Sequence, residues 1–204
     1  MNGVKVKICG LTRAEDVAAA VACGADALGF VLVPGSKRCI SAGAAESLCQ
    51  QVPVFISRVG LFLDQPAADI FKVLQQVPLS VLQFHGRESA EFCRQFKRPY
   101  IKTVSLAAGS SIAELEQAYP DAAAILVDSH KLGDLGGTGK TADWQQVQAG
   151  SRPLILAGGL NPHNVATAIK LIRPWAVDVS SGVEFSPGVK DADAIKRFIS
   201  EAKQ

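Results

Sequence analysis

Two spacings of apolar residues alternate along this chain. Short continuous apolar runs, of strand length, are followed by segments whose apolar residues recur at i, i+3, i+4 and i+7. Val4 to Ile8 is the first run and ends on Cys9-Gly10. Thr12 and Glu15 then read as a capping box, with Ala14, Val17, Ala18 and Val21 as the apolar stripe of a helix. Ala27 to Val33 is the second run, followed by the loop Pro34 to Arg38 and a helix starting near Ser41, with Ala44, Ala45, Leu48 and Val52 facing inward. A third strand falls within Val54 to Leu63, and Asp64 and Pro66 mark a helix striped by Ile70, Leu74 and Val77. Ser80 to Phe84 and Tyr100 to Val104 are the fourth and fifth strands. Their helices carry Phe92 and Phe96, and run from Ser111 to Tyr119.

The sixth run, Ala123 to Val127, stops on an acid, Asp128. It passes Ser129-His130 and the glycine-rich Gly136-Gly-Thr-Gly139 to Lys140, and a helix restarts at Thr141 with Trp144 and Val147. Pro153 to Ala157 is the seventh strand, behind which Asn161-Pro162 reads as an N-cap and first helical residue. Ala176 to Val179 is the eighth, and Asp191 opens a last helix with Ile195, Phe198, Ile199 and Ala202. Eight strand–helix units in 204 residues predict an α/β fold, a single (β/α)8 TIM barrel spanning residues 1–204. Continuous apolar strands suit a parallel sheet covered on both faces, and no GxGxxG fingerprint supports an open doubly wound sheet.

Composition narrows the function. A net charge of +2, no basic tract and few aromatics give no reason to expect nucleic acid as a partner. The apolar runs are too short to span a membrane, and the segment from Met1 to Lys5 lacks a secretory apolar region, which points to a cytoplasmic protein. Cys9, Cys23, Cys39, Cys49 and Cys93 are an odd number without CxxC spacing, and the three histidines are scattered. They read as free thiols in a reducing compartment, most of them small core hydrophobes, with no metal cluster.

In a barrel, the residues after each strand form the active face. Cys9 and Asp128, three strands apart around a ring of eight, face each other across the mouth as thiol and acid on opposite sides of one small substrate. Lys7 shares the face of Cys9, favours its thiolate, and finds its partner in Asp178 on the neighbouring eighth strand. Gly158-Gly159 and Ser180-Ser181-Gly182 follow strands seven and eight, the usual phosphate position of such barrels. Arg38 is a candidate carboxylate clamp. His85 ends the fourth strand as a supporting residue, and none of the three histidines receives a catalytic role. Gly139-Lys140-Thr141 is not a P-loop, because Asp134 stands where that loop needs glycine.

The order and spacing of Lys7-Ile-Cys-Gly-Leu-Thr12, Gln83-Phe-His-Gly86, Val127-Asp-Ser129, Gly136 to Thr141, Leu156 to Pro162 and Val177 to Glu184 resemble the phosphoribosylanthranilate isomerase family from end to end. That resemblance implies a cofactor-free, metal-free Amadori rearrangement in tryptophan biosynthesis. It implies Asp128 as the acid at the furanose oxygen, Cys9 as the base at C2, Arg38 at the anthranilate carboxylate and the two turns at the phosphate. The partner is then a small phosphorylated substrate, handled by a monomer or homodimer. The chain departs from the family in reading Ser36-Lys37-Arg38 where Ser-Pro-Arg is common. The rival readings are the synthase of the next step, which relies on Lys and Glu, the histidine-pathway aminoaldose isomerase, which pairs two Asp residues, and a non-catalytic phosphate-binding barrel.

Overall fold

The computed structural model describes residues 3–105, 112–128 and 150–204. Eight parallel strands close in sequence order, β1 (Lys5–Cys9), β2 (Ala27–Val31), β3 (Ser57–Phe62), β4 (Val81–Phe84), β5 (Tyr100–Ser105), β6 (Ala124–Asp128), β7 (Leu154–Leu156) and β8 (Ala176–Val179), with β8 pairing back onto β1. The described helices are α1 (Ala14–Ala22), α2 (Ala42–Cys49), α3 (Ala67–Gln76), α4 (Ala90–Arg94), α5 (Ile112–Ala118), α6 (Val165–Ile172) and α7 (Ala192–Ala202). The expected helix with Trp144 and Val147, the loop from Ser129 to Lys140, and Ser111 lie outside the described residues. Among the described residues, no helix is long and apolar enough to cross a membrane.

Side chains alternate along each strand. Val6, Ile8, Leu82, Phe84, Ile125, Val127, Val177 and Val179 pack in one cluster with helix residues such as Val17, Ile70, Val165 and Phe198. The alternate set, Val59, Ile101, Leu126, Ile155 and Ala176, fills the barrel interior. Both faces are therefore buried, which is why the strands read as unbroken apolar runs. Lys7, Cys9 and Asp178 belong to the interior set by the same alternation.

Two of the expected helix starts carry side-chain caps. The Ser41 hydroxyl accepts from the Ala44 amide at the start of α2, and Asp191 accepts from the Asp193 and Ala194 amides at the start of α7. Others are corrected. Thr12 and Glu15 form no capping box, since α1 starts after Arg13 without a side-chain cap and the Thr12 hydroxyl donates to the Gly188 carbonyl. On α1, Val17 and Ala20 are buried while Ala14 and Ala18 are exposed, because alanines carry little preference for either face. On α2, Ala44 is exposed. Asn161 does not cap α6. Its side chain accepts from the His163 amide within a turn, and α6 begins three residues later, after Asn164. Asp64 adopts a left-handed backbone and accepts from the Arg87 amide, leaving Pro66 at the start of α3. Beyond β8 stand a 3₁₀ turn (Ser181–Val183) and a hairpin, β9 (Glu184–Ser186) with β10 (Val189–Lys190), that the sequence pattern did not indicate.

The loop after β4 is held by a buried ion pair. Lys102 on β5 donates to the Gly86 carbonyl at 2.6 Å and to Glu88 at 3.0 Å, and Glu88 also accepts from the Asp64 and Gly86 amides. Removing one member of such a pair strands the other charge. Lys102→Met should therefore cost about 3–5 kcal/mol in urea unfolding, and adding Glu88→Gln should recover part of it. A near-neutral single variant would mean that the pair does not hold this loop.

Candidate active site

Cys9 is the last residue of β1 and Asp128 the last of β6, three steps around the ring through β8 and β7. Both line one cavity at the C-terminal mouth, and Arg38, His85, Gly158, Gly159, Asp178, Ser180, Ser181 and Gly182 line it with them. Lys7 lies one layer below. It stands directly opposite Asp178 in the register of β1 and β8, and its ammonium donates to that carboxylate at 2.9 Å. Burial works to lower the Lys7 pKa, but Asp178 and then Cys9 outweigh it and hold the ammonium above its ordinary value.

Cys9 pairs in register with Gly29, where a Cβ would come within 2.8 Å of the thiol sulfur. A glycine there leaves the space the thiol occupies. Burial pushes the Cys9 thiol up, and Lys7 pulls it down by less. Lys7 favours the thiolate, as expected, but desolvation is the larger effect and the ammonium only limits the rise. Among the other cysteines, Cys49 and Cys93 are buried and Cys39 is exposed, so the core reading fails for Cys39; all five are free.

Arg38 is a buried residue in this structure, not a surface one. Its Nε and Nη2 donate to Glu184 at 2.7 and 2.6 Å, and Ser36 Oγ accepts from its amide at 3.2 Å. The Arg38 side chain packs over Gly10 (φ 74), where a Cβ would meet Arg38 Cδ at 2.5 Å. Gly158 and Gly159 have φ of 84 and 67. A Cβ on Gly182 would lie 1.9 Å from the Leu160 carbonyl oxygen, so the turns after β7 and β8 abut through a position only glycine fills. Lys190 on β10 reaches the Ser180 carbonyl at 3.1 Å and Glu184 at 2.8 Å.

Two further polar side chains point into the cavity wall. His85 Nδ1 and Gln83 Oε1 are buried and have no hydrogen-bond partner among the described residues, and both residues line the cavity. Burial lowers the His85 pKa, with Asp128 opposing, so the imidazole is neutral near pH 7 and one ring nitrogen is an acceptor. Among the described residues, no group of three His, Cys, Asp or Glu side chains could hold a metal. A thiol, a carboxylate, an anchored guanidinium and two glycine-bearing turns suit proton transfer on an anionic, phosphorylated substrate.

A family model described as N-(5'phosphoribosyl)anthranilate (PRA) isomerase matches residues 6–201. The chain belongs to that isomerase family. The N-(5'-phosphoribosyl)anthranilate isomerase of Acidithiobacillus ferrooxidans is 48% identical over 203 residues, covering 100% of this chain and 99% of that one. The phosphoribosyl anthranilate isomerase of Thermotoga maritima superposes with a TM-score of 0.85 at 43% identity, with 98% of each chain covered. A second structure from that organism, of monomers generated from its dimeric isomerase, gives 0.81 at 40% identity, again over 98% of each chain. An isomerase crystallised with reduced 1-(o-carboxyphenylamino)-1-deoxyribulose 5-phosphate gives 0.81 at 42% identity and the same coverage.

As a phosphoribosylanthranilate isomerase, this chain converts N-(5'-phosphoribosyl)anthranilate to 1-(2-carboxyphenylamino)-1-deoxyribulose 5-phosphate in tryptophan biosynthesis. Sequence reasoning passed over Gln83, Glu184 and Lys190 as site residues of the isomerase. The first reads as one more polar strand residue. The other two belong to the unexpected hairpin, and nothing local indicates that Glu184 meets Arg38, 146 positions away.

The opposed effects on Cys9 can be separated. Site-specific alkylation of Cys9, followed against pH by mass spectrometry, should show a thiol titrating above the ordinary value of about 8.5. Lys7→Met should move that titration higher still, and an unmoved curve would mean that Lys7 does not act on the thiol.

Proposed function

We propose that Asp128 and Cys9 perform the isomerisation as acid and base, with Arg38 on the anthranilate carboxylate and the Gly158-Gly159 and Ser180–Gly182 turns on the phosphate. The observation that carries this reading is the shared cavity: acid and thiol end strands on opposite sides of one mouth that also holds a guanidinium and the two turns. Asp128 gives its proton to the furanose ring oxygen as the C1–O bond breaks and the anilino nitrogen forms an iminium with C1. The Cys9 thiolate then takes the C2 proton, and the electron pair of that bond flows to the iminium nitrogen, giving an enolamine. Protonation at C1 with loss of the C2 hydroxyl proton leaves the ketose. The iminium places a positive charge beside Cys9, which favours the thiolate that burial disfavours.

The ligand named for the related complex, an arylcarboxylate at one end and a phosphate at the other, has the two anions this reading requires. Acid and base suffice for the steps, so no cofactor enters, and a cytoplasmic setting suits the free thiols. Pairing of two copies is supported by the opposite end of the barrel. There Phe55 and Trp175, 97% and 53% exposed, border a second cavity, and a relative is described as dimeric. Light scattering should find a dimer that Phe55→Glu converts to monomer, and a monomeric parent would remove this part of the reading.

Turnover of freshly generated phosphoribosylanthranilate tests the chemistry. Asp128→Asn and Cys9→Ala should each lose roughly 10²–10⁴-fold, mainly in kcat, as expected for a positioned acid or base. Arg38→Ala should chiefly raise KM. Unchanged kcat in either of the first two removes that residue from the mechanism, and an unaltered KM in the third places the carboxylate elsewhere.

A further inference from the structure

Glu184 has no part in the proposed proton transfers, yet it pairs with the Arg38 guanidinium that lines the mouth. It opens the hairpin β9–β10 and is as buried as the arginine it faces, their side chains being 4% and 9% exposed. The contact is side-on: Arg38 Nε–H meets Oε1 at 2.7 Å and Nη2–H meets Oε2 at 2.6 Å. A guanidinium carries five N–H donors in a fixed plane, and this contact uses two of them. What remains includes the end-on edge, one N–H from each terminal nitrogen, parallel and spaced for a second carboxylate. A side-on partner thus fixes the plane without consuming the site.

Lys190 holds Glu184 in turn. Its ammonium donates to Oε1 at 2.8 Å and to the Ser180 carbonyl at 3.1 Å, and its side chain is fully buried. Two cations share one carboxylate, so the cluster keeps a net positive charge for an incoming anion. Burial alone would raise the Glu184 pKa, but Arg38 and Lys190 outweigh it and keep the group ionised. The chain Arg38–Glu184–Lys190–Ser180 also connects the loop after β2 to the turn after β8. It joins the two places proposed above to hold the two ends of the substrate.

We propose that Glu184 is a positioning residue for substrate selection, fixing the Arg38 plane so that its end-on edge receives the arylcarboxylate at a set distance from the phosphate turn. This rests on the reading that Arg38 binds that carboxylate. The hairpin β9–β10 is then the element that measures substrate length between two anion sites. A phosphorylated aminoketose lacking the carboxylate gains nothing from the Arg38 plane that Glu184 fixes.

The test compares two inhibitors, the reduced carboxyphenylamino-deoxyribulose phosphate and its counterpart with phenyl in place of carboxyphenyl. Titration calorimetry on the parent should show tighter binding of the carboxylate form. Glu184→Gln should weaken that form by about tenfold or more, a loss of about 1.4 kcal/mol, and leave the phenyl form within about twofold. Equal weakening of both ligands, or of neither, overturns the proposal. Glu184→Asp keeps the charge and the Lys190 contact but shortens the reach by one methylene. If Glu184→Gln does not fold, loss of the carboxylate preference in Glu184→Asp supports positioning, and retention at the parent level overturns it. Arg38→Ala run alongside separates the two claims. If it keeps the carboxylate preference, the assignment of Arg38 fails; if it loses the preference while the Glu184 variants keep it, only the positioning role fails.

Discussion

The pairing of β8 back onto β1 closes the barrel and brings together residues 171 positions apart in the chain, Lys7 and Asp178. The mouth is assembled along this seam. In register with each other, the two residues bury opposite charges beneath Cys9. Immediately after Cys9, Gly10 leaves room for Arg38 and lies against Ser180. Thr12 and Asp16, at the start of α1, bond the Gly188 carbonyl and the Lys190 amide of the hairpin. Closure thus fixes the strand ends and also seats the hairpin that braces Arg38. A one-residue slip of β8 would exchange Asp178 for a valine inside the barrel and leave the Lys7 ammonium buried alone.

Electrostatics at this seam balance more than they stabilise. A buried ammonium beside a thiol needs a counter-charge, and Asp178 supplies it. That same carboxylate works against the Cys9 thiolate, as does burial, while Lys7 and more weakly Lys190 work for it. The resting thiol is the consequence. In the proposed chemistry, a base that stays protonated until a cationic intermediate forms nearby is protected from idle side reactions, and its thiolate appears where the iminium develops. Burial lowers the His85 pKa against the opposing effect of Asp128, which favours a neutral imidazole with one acceptor nitrogen.

Much of the fold was legible because parallel strands covered on both faces write continuous apolar runs, and each run ended within a residue or two of its strand. Local chemistry was legible where the partner is also local, as with Ser41 and Asp191, each capping amides two or three residues on. The readings failed where another group outcompeted the expected partner. Thr12 bonds Gly188 instead of its own helix, and Asn161 closes a turn because Asn164 lies within reach. The seam pair of Lys7 and Asp178 was within reach of strand alternation and ring closure. Glu184 was not, since a lone acid after a 3₁₀ turn carries no mark of an arginine on the loop behind β2.

The proposed chemistry turns on where the C2 proton goes. Single-turnover conversion of phosphoribosylanthranilate carrying deuterium at ribosyl C2 measures this in the parent and in Cys9→Ala. The parent should convert with a primary isotope effect, while Cys9→Ala retains the deuterium and stalls before the ketose. Removal of deuterium at the parent rate without the thiol would contradict the account, because some other group would then be the base.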